Sequence, residues 1–174
     1  MNIEADVVIK IIIIIMKVMI KIEKFLCFLL VMFIFISCNS NVVYEESVSV
    51  ANPTWNSANG VKFEVLIEDT TLDYQTNILI RNSGDYAYQN LWLFVTEIAP
   101  DNTCSKDTLQ YILADEFGRW LGSGVGSLYT NLCYYKESAH YSQKGKYTYI
   151  IEQAMRDEEL KGITEVGIQI TRKE

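Results

Sequence analysis

One histidine, four cysteines and, best placed among the adjacent acids, the pair Asp115-Glu116 are the residues of this 174-residue chain whose types suit acid–base, covalent or metal chemistry. The histidine, His140, lies in the polar stretch KESAHYSQKG, which reads as a loop. A lone histidine in a polar loop makes no metal site. A serine triad would have only that base, and no G-x-S-x-G elbow is present to hold a nucleophile. The pair Asp115-Glu116 would serve glycoside hydrolysis only if both carboxylates faced one sugar, ~5–9 Å apart. Adjacent residues at a strand end point to opposite faces, so a solvated hairpin corner is expected. Gly122-Ser123-Gly124-Val125-Gly126 lacks the Lys-Ser/Thr and the strand-to-helix context of a phosphate loop, and reads as a flexible bend. No catalytic set, metal site or dissociable cofactor is expected.

The cysteines divide by position. Phe25 to Ile36 is a wholly apolar run containing Cys27, preceded by Lys17, Lys21 and Lys24 and followed by Ser37-Cys38. The run fits a signal-peptide core and is short of the ~20 apolar residues of a membrane span. Phe35-Ile36-Ser37-Cys38 looks like a bacterial lipobox, with Phe35 where leucine is usual. In that pattern Cys38 becomes the first mature residue and carries covalent lipid. Each buried methylene contributes ~0.8 kcal/mol, so one acyl chain holds weakly and two or three hold firmly. Residues 1–37 are therefore read as a signal peptide. Met16 or Met19 is the expected start, which leaves residues 1–18 without structural meaning. Residues 38–44 are read as a lipidated tether and 45–174 as the folded domain. Cys104 and Cys133 remain, in an oxidising compartment. A disulfide between them would close a loop of about 30 residues and contribute ~3–4 kcal/mol in the chain-entropy model. Two independent thiols, one buried and one in a loop, is the alternative.

Removing residues 1–37 takes four lysines and three acids from 15 basic and 22 acidic residues, leaving 11 against 19 and a net charge of −8. Such a domain is a poor partner for nucleic acid, which requires basic patches, and offers no polybasic segment to anionic lipid. All eleven tyrosines and all three tryptophans follow Cys38, a composition that favours strands.

Six segments carry strand patterns: Val61–Glu68, Tyr74–Asn82, Leu91–Ala99, Asp107–Ala114, Gly145–Ala154 and Thr164–Arg172. Val61, Phe63, Val65 and Ile67 share one face of the first, and Tyr147, Tyr149 and Ile151 one face of the fifth. Leu91–Ala99 is nearly continuously apolar, as a central strand would be. Ala58-Asn59-Gly60, Asn82-Ser83-Gly84-Asp85, Pro100-Asp101-Asn102 and Lys144-Gly145 supply turns. Glu152–Lys161 has helical composition and reads as a short helix or a turn, with Gly162 as its C-cap. Many short one-sided strands predict an all-β antiparallel sandwich, jelly-roll or immunoglobulin-like. The aromatics Tyr86, Tyr88, Trp92 and Trp120 are candidate contact residues where exposed; they otherwise fill the core and rim.

Several stretches together carry a family resemblance. Asp69-Thr70, Arg81-Asn82, Tyr86-Ala87-Tyr88-Gln89-Asn90-Leu91-Trp92-Leu93, Asp107-Thr108-Leu109 and Trp120-Leu121-Gly122-Ser123-Gly124 occur in order. Gly145-Lys146-Tyr147, Ile151 to Arg156, Leu160 to Ile163 and Val166-Gly167-Ile168 follow. Across about Val43 to Thr171 the chain resembles the GldH family, gliding-motility lipoproteins of the Bacteroidota. The resemblance implies a non-enzymatic lipoprotein of the cell envelope, lipid-anchored at Cys38, with other envelope lipoproteins or motility proteins as partners. Asn39-Ser40-Asn41-Val42 holds no acidic stretch that would direct surface display, so outer-membrane anchoring with the domain in the periplasm is expected. A carbohydrate-binding envelope lipoprotein is the alternative, carried by the same aromatics.

Overall fold

A computed structural model describes residues 16, 17, 19, 21–24, 41–50 and 54–173. The chain divides into two units, Met1–Ser40 and Asn41–Glu174. In the first, the described residues are helical; the signal core and Cys38 lie outside the described residues. The second carries the fold.

Ten strands follow in order: β1 (Val42–Ser49), β2 (Trp55–Asn56), β3 (Val61–Ile67), β4 (Asp73–Ser83), β5 (Asn90–Ile98), β6 (Cys104–Ile112), β7 (Leu128–His140), β8 (Gly145–Gln153), β9 (Glu159–Leu160) and β10 (Ile163–Arg172). They form two four-stranded sheets, β1-β10-β4-β7 and β3-β8-β5-β6, and a small β2-β9 pair. Every pairing is antiparallel. Of the eight long strands, only β5 and β6 are both consecutive and adjacent in one sheet; every other connection crosses between sheets. That is the double Greek key of a jelly roll, which settles the choice against an immunoglobulin-like order.

Alternation explains the core. Phe63, Val65 and Ile67 of β3, Leu91, Leu93 and Val95 of β5, and Tyr147, Tyr149 and Ile151 of β8 are buried against Ile78 and Ile80 of β4 and Val166, Ile168 and Ile170 of β10. Strand β5 lies inside its sheet, between β8 and β6. Core tyrosines bring their own partners: the Tyr141 and Tyr149 hydroxyls are 2.7 Å apart, and the Tyr141 ring packs edge-on to Tyr147, centroids 4.6 Å apart. The Pro100-Asp101-Asn102 turn joins β5 to β6 with Asn102 at φ 67°, a conformation asparagine tolerates.

Three expectations are corrected. The tether does not reach Tyr44, because β1 already begins at Val42 and pairs with β10. The stretch 128–140 is a 13-residue strand, so His140 closes β7 and does not sit in a loop; its Nδ1 lies 3.4 Å from Asp73. Apolar residues on both faces hid the period of β7: Leu128 and Leu132 are exposed while Asn131 is buried. The Asn131 amide is satisfied there by the Ile80 carbonyl and by Asn82. Of the two readings of Glu152–Lys161, helix or turn, the turn is the one found: the segment is the end of β8, a turn and β9. Gly162 accordingly caps no helix.

Candidate functional site

The connection from β4 to β5 and the turn after β8 meet at one end of the sandwich and assemble three of the four candidate aromatics. Backbone bonds pin the first connection: Ser83 N–H donates to the Gly162 carbonyl and Gly84 N–H to that of Ser127, both at 2.8 Å. Tyr86 is thereby turned inward. It is 4% exposed, and its hydroxyl donates to the Asn90 carbonyl at 2.8 Å. Gly162 makes this possible, with φ 87° and no side chain where a β-carbon would stand 2.6 Å from the Tyr86 Cα. The ring of Tyr88 stands edge-on to Tyr86 at 5.7 Å, and its hydroxyl donates to Asp157 Oδ2 at 2.7 Å. Trp120 is half-buried, 6.2 Å from Tyr86 and 5.8 Å from Tyr129. Tyr86 and Trp120 thus support from within, while Tyr88 stays at the surface.

Trp92 sits on the outer face of β5 with 37% of its surface exposed. The turn beside it is built by Gln153, only 2% exposed. That side chain accepts the Met155 N–H at 2.8 Å and donates to the Asp157 and Glu158 carbonyls at 2.7 and 3.3 Å. Ala154 N–H continues the ladder onto the Trp92 carbonyl, and Trp92 N–H points at the Met155 sulfur, 3.3 Å away. A buried amide thus makes the hydrogen bonds a helix would have made, which is why the helical composition here is overruled.

The result is an open cleft of about 570 Å³ lined by Tyr88, Asn90, Trp92 and the turn residues 154–157. Arg156 is exposed and forms no ion pair among the described residues. The bond to Asp157 raises the Tyr88 hydroxyl pKa. Burial, then Tyr88 and Asp157, raise that of Tyr86. Both phenols therefore stay neutral donors at physiological pH. Sequence reasoning singled out Tyr88 and Trp92 but missed Gln153, Arg156 and Asp157. Nothing in their spacing marks them, since the turn that gathers them is held by a tertiary burial.

The other candidates do not assemble. Cys104 and Cys133 are both free, which corrects the possible disulfide. Cys133 lies in β7 near Tyr111, whose hydroxyl donates to the neighbouring Tyr134 carbonyl. Tyr111 is seven residues along β6 from Cys104, about 23 Å at the rise of a strand; a bridge needs Cα atoms within ~7 Å. Asp115 is a turn-former: its carboxylate accepts from the N–H groups of Phe117 and Arg119 and pairs with the Arg119 guanidinium at 2.7 Å. Around β6 and β7 a different feature appears. Ile112, Leu121 and Leu132 line a shallow hollow, and all three are at least half exposed. The free edge of β7 is partly closed beside it. Thr130 exchanges both backbone bonds with Ser123, and Tyr134 gives its carbonyl to Tyr111.

Residues 42–170 match the family model described as GldH lipoprotein. The chain is 37% identical over 155 residues to the "Gliding motility lipoprotein GldH homolog" of Christiangramia forsetii, covering 84% of this chain and 94% of that protein. It is 33% identical over 153 residues to the "Gliding motility lipoprotein GldH" of Flavobacterium johnsoniae, again covering 84% and 94%. Among solved structures, a carbohydrate-binding module specific for non-crystalline cellulose aligns with TM-score 0.40 at 13% identity, over 75% of this chain and 73% of that one.

Proposed function

The chain belongs to the GldH lipoprotein family, and from that premise we propose that it is a non-enzymatic scaffold held on the outer membrane by acyl chains at Cys38, with its jelly roll in the periplasm. The observation that carries the reading is the family match over residues 42–170, joined to the lipobox-like Phe35-Ile36-Ser37-Cys38 immediately before it. Confinement to a membrane raises the effective concentration of neighbouring envelope proteins, so modest interfaces become populated. The exposed Ile112, Leu121 and Leu132 supply apolar surface of the kind that marks protein contacts. Because β7 is partly capped at its edge, partners of this surface, other envelope lipoproteins or motility proteins, engage through side-chain packing and not by adding a strand.

The test is fractionation with intact-mass analysis in the native host. The wild-type chain is expected in the membrane pellet, heavier than its polypeptide by two or three acyl chains. Cys38→Ala is expected in the periplasmic soluble fraction and to lose its crosslinks to envelope proteins. An unacylated wild-type chain, or a Cys38→Ala chain that pellets equally well, overturns the tether.

A further inference from the structure

The cleft beside Trp92 combines an exposed aromatic with the polar side chains of Tyr88, Asn90, Arg156 and Asp157, of which Tyr88 and Asp157 are held by their mutual hydrogen bond. We propose that it is a binding site for an acidic glycan, seating a sugar ring on the Trp92 indole and pairing a sugar carboxylate with Arg156. The inference stands apart from the scaffold reading, since it needs no tether, although Asn90 of the cleft pairs across β5–β6 with Ile112 of the apolar hollow.

The indole presents a negative π-face to which the C–H face of a pyranose is complementary. Trp92 is 37% exposed and lines the cleft, so part of its side chain is open to a ligand. Hydroxyls around a sugar ring need donors and acceptors at the ring's rim. Asn90 offers an amide, and Asp157 offers a carboxylate held at 2.7 Å by the Tyr88 hydroxyl. Tyr88 and Asp157 are pre-oriented. Tyr88 is braced edge-on by buried Tyr86, and the turn bearing Arg156 and Asp157 is fixed by the buried Gln153 amide. Pre-orientation lowers the entropy lost on binding. A cleft of about 570 Å³ falls within the usual range for ligand sites, ~300–1,000 Å³, and its open side admits a chain longer than one ring.

Arg156 selects the charge. A guanidinium with no ion pair among the described residues is a bidentate receptor for a carboxylate. The domain as a whole, at net −8, would repel an anion, so any affinity for an acidic sugar has to be local. A protein ligand is the competing occupant. It would favour the apolar hollow at Ile112, Leu121 and Leu132 over a cleft with four polar side chains.

Titration of the full-length chain in detergent with hexagalacturonate and cellohexaose, followed by calorimetry and tryptophan fluorescence, tests the assignment. Hexagalacturonate is expected to bind and to perturb the emission of the exposed indole. Trp92→Ala should weaken it at least tenfold with the circular-dichroism spectrum unchanged. Arg156→Gln, a surface change that spares the fold, should weaken hexagalacturonate several-fold and leave cellohexaose unaffected. Leu66→Ala, exposed on β3, should change nothing. Failure of both sugars to bind, binding that survives Trp92→Ala, or preference for cellohexaose overturns the proposal. So does a Trp92→Ala chain that loses an envelope-protein crosslink while the wild type binds no sugar. Because Cys38→Ala reads out only the tether, failure of one proposal does not entail failure of the other.

Discussion

At the scale of single residues, the two cysteines of the domain have opposite fates. Cys104 is exposed at the head of β6. Cys133 is packed against the core, and burial pushes its thiol pKa up to about 12. Since the thiolate is the reacting species, only about 1 in 10⁴ of Cys133 is reactive at pH 8. Iodoacetamide at that pH should therefore modify Cys104 within minutes and Cys133 only after denaturation, read by peptide mass mapping. A mass two daltons low without reductant would instead reveal a disulfide. The cysteine spacing was legible in the sequence, but the separation of the thiols was not, because loop length carries no information about which sheets the two ends join. The same holds for the aromatics. Tyr86 and Tyr88 are two residues apart in one connection, yet one is core and the other cleft wall.

At the scale of elements, the β4–β5 connection and the turn before β10 lock together through Gly162. An alanine there would carry φ 87° and drive its β-carbon to within 2.6 Å of the Tyr86 backbone. Gly118 is a matched control, with φ 77° and nothing within 4 Å of the added carbon. Gly118→Ala should cost about 1 kcal/mol from the left-handed backbone alone. Gly162→Ala adds a backbone collision and should cost at least twice as much, lowering Tm by ~5–10 °C in thermal melts followed by circular dichroism. Equal shifts for the two variants would show that Tyr86 moves aside freely. The strands with clean alternation, β3, β8 and β10, were readable from the sequence because each buries one face only. β7 was not. Its inner face includes Asn131, polar but satisfied, and its outer face includes Leu128 and Leu132, apolar but exposed.

At the scale of the whole molecule, stability should depend on pH through carboxylates held in their charged form. Hydrogen bonds and charge from Lys146, then Lys62, depress Glu64 from 4.5 to about 2; Lys146 and Lys62 lie 2.8 and 2.6 Å from it. Bonds from Thr71, Thr103, Arg119 and Thr54 likewise lower Asp69, Asp101, Asp115 and Glu159. A folded-state pKa below the unfolded one means that the unfolded chain binds the proton first. The contribution is whole above pH ~4.5 and drains away as pH falls toward 2. Thermal melts should thus show Tm falling below pH ~4.5, modestly because these carboxylates are at the surface, with a shallower fall for Glu64→Gln. Glu64 is 44% exposed, so 1 M salt, with a Debye length of ~3 Å, should blunt the difference between the two chains. An identical pH profile for Glu64→Gln would remove Glu64 from the account.

By itself the sequence determined an acidic body of antiparallel strands, the GldH resemblance, and most inward-facing positions. All of these are written in local composition, a period of two, or an ordered set of short motifs. Tertiary structure decided the jelly-roll order, the separation of the two thiols, and the cleft in which Trp92, Asp157 and Arg156 meet. Each depends on residues far apart in the chain whose juxtaposition is set by which sheet a strand joins, and on buried amides such as Gln153 and Asn131 whose partners arrive only when the two sheets close.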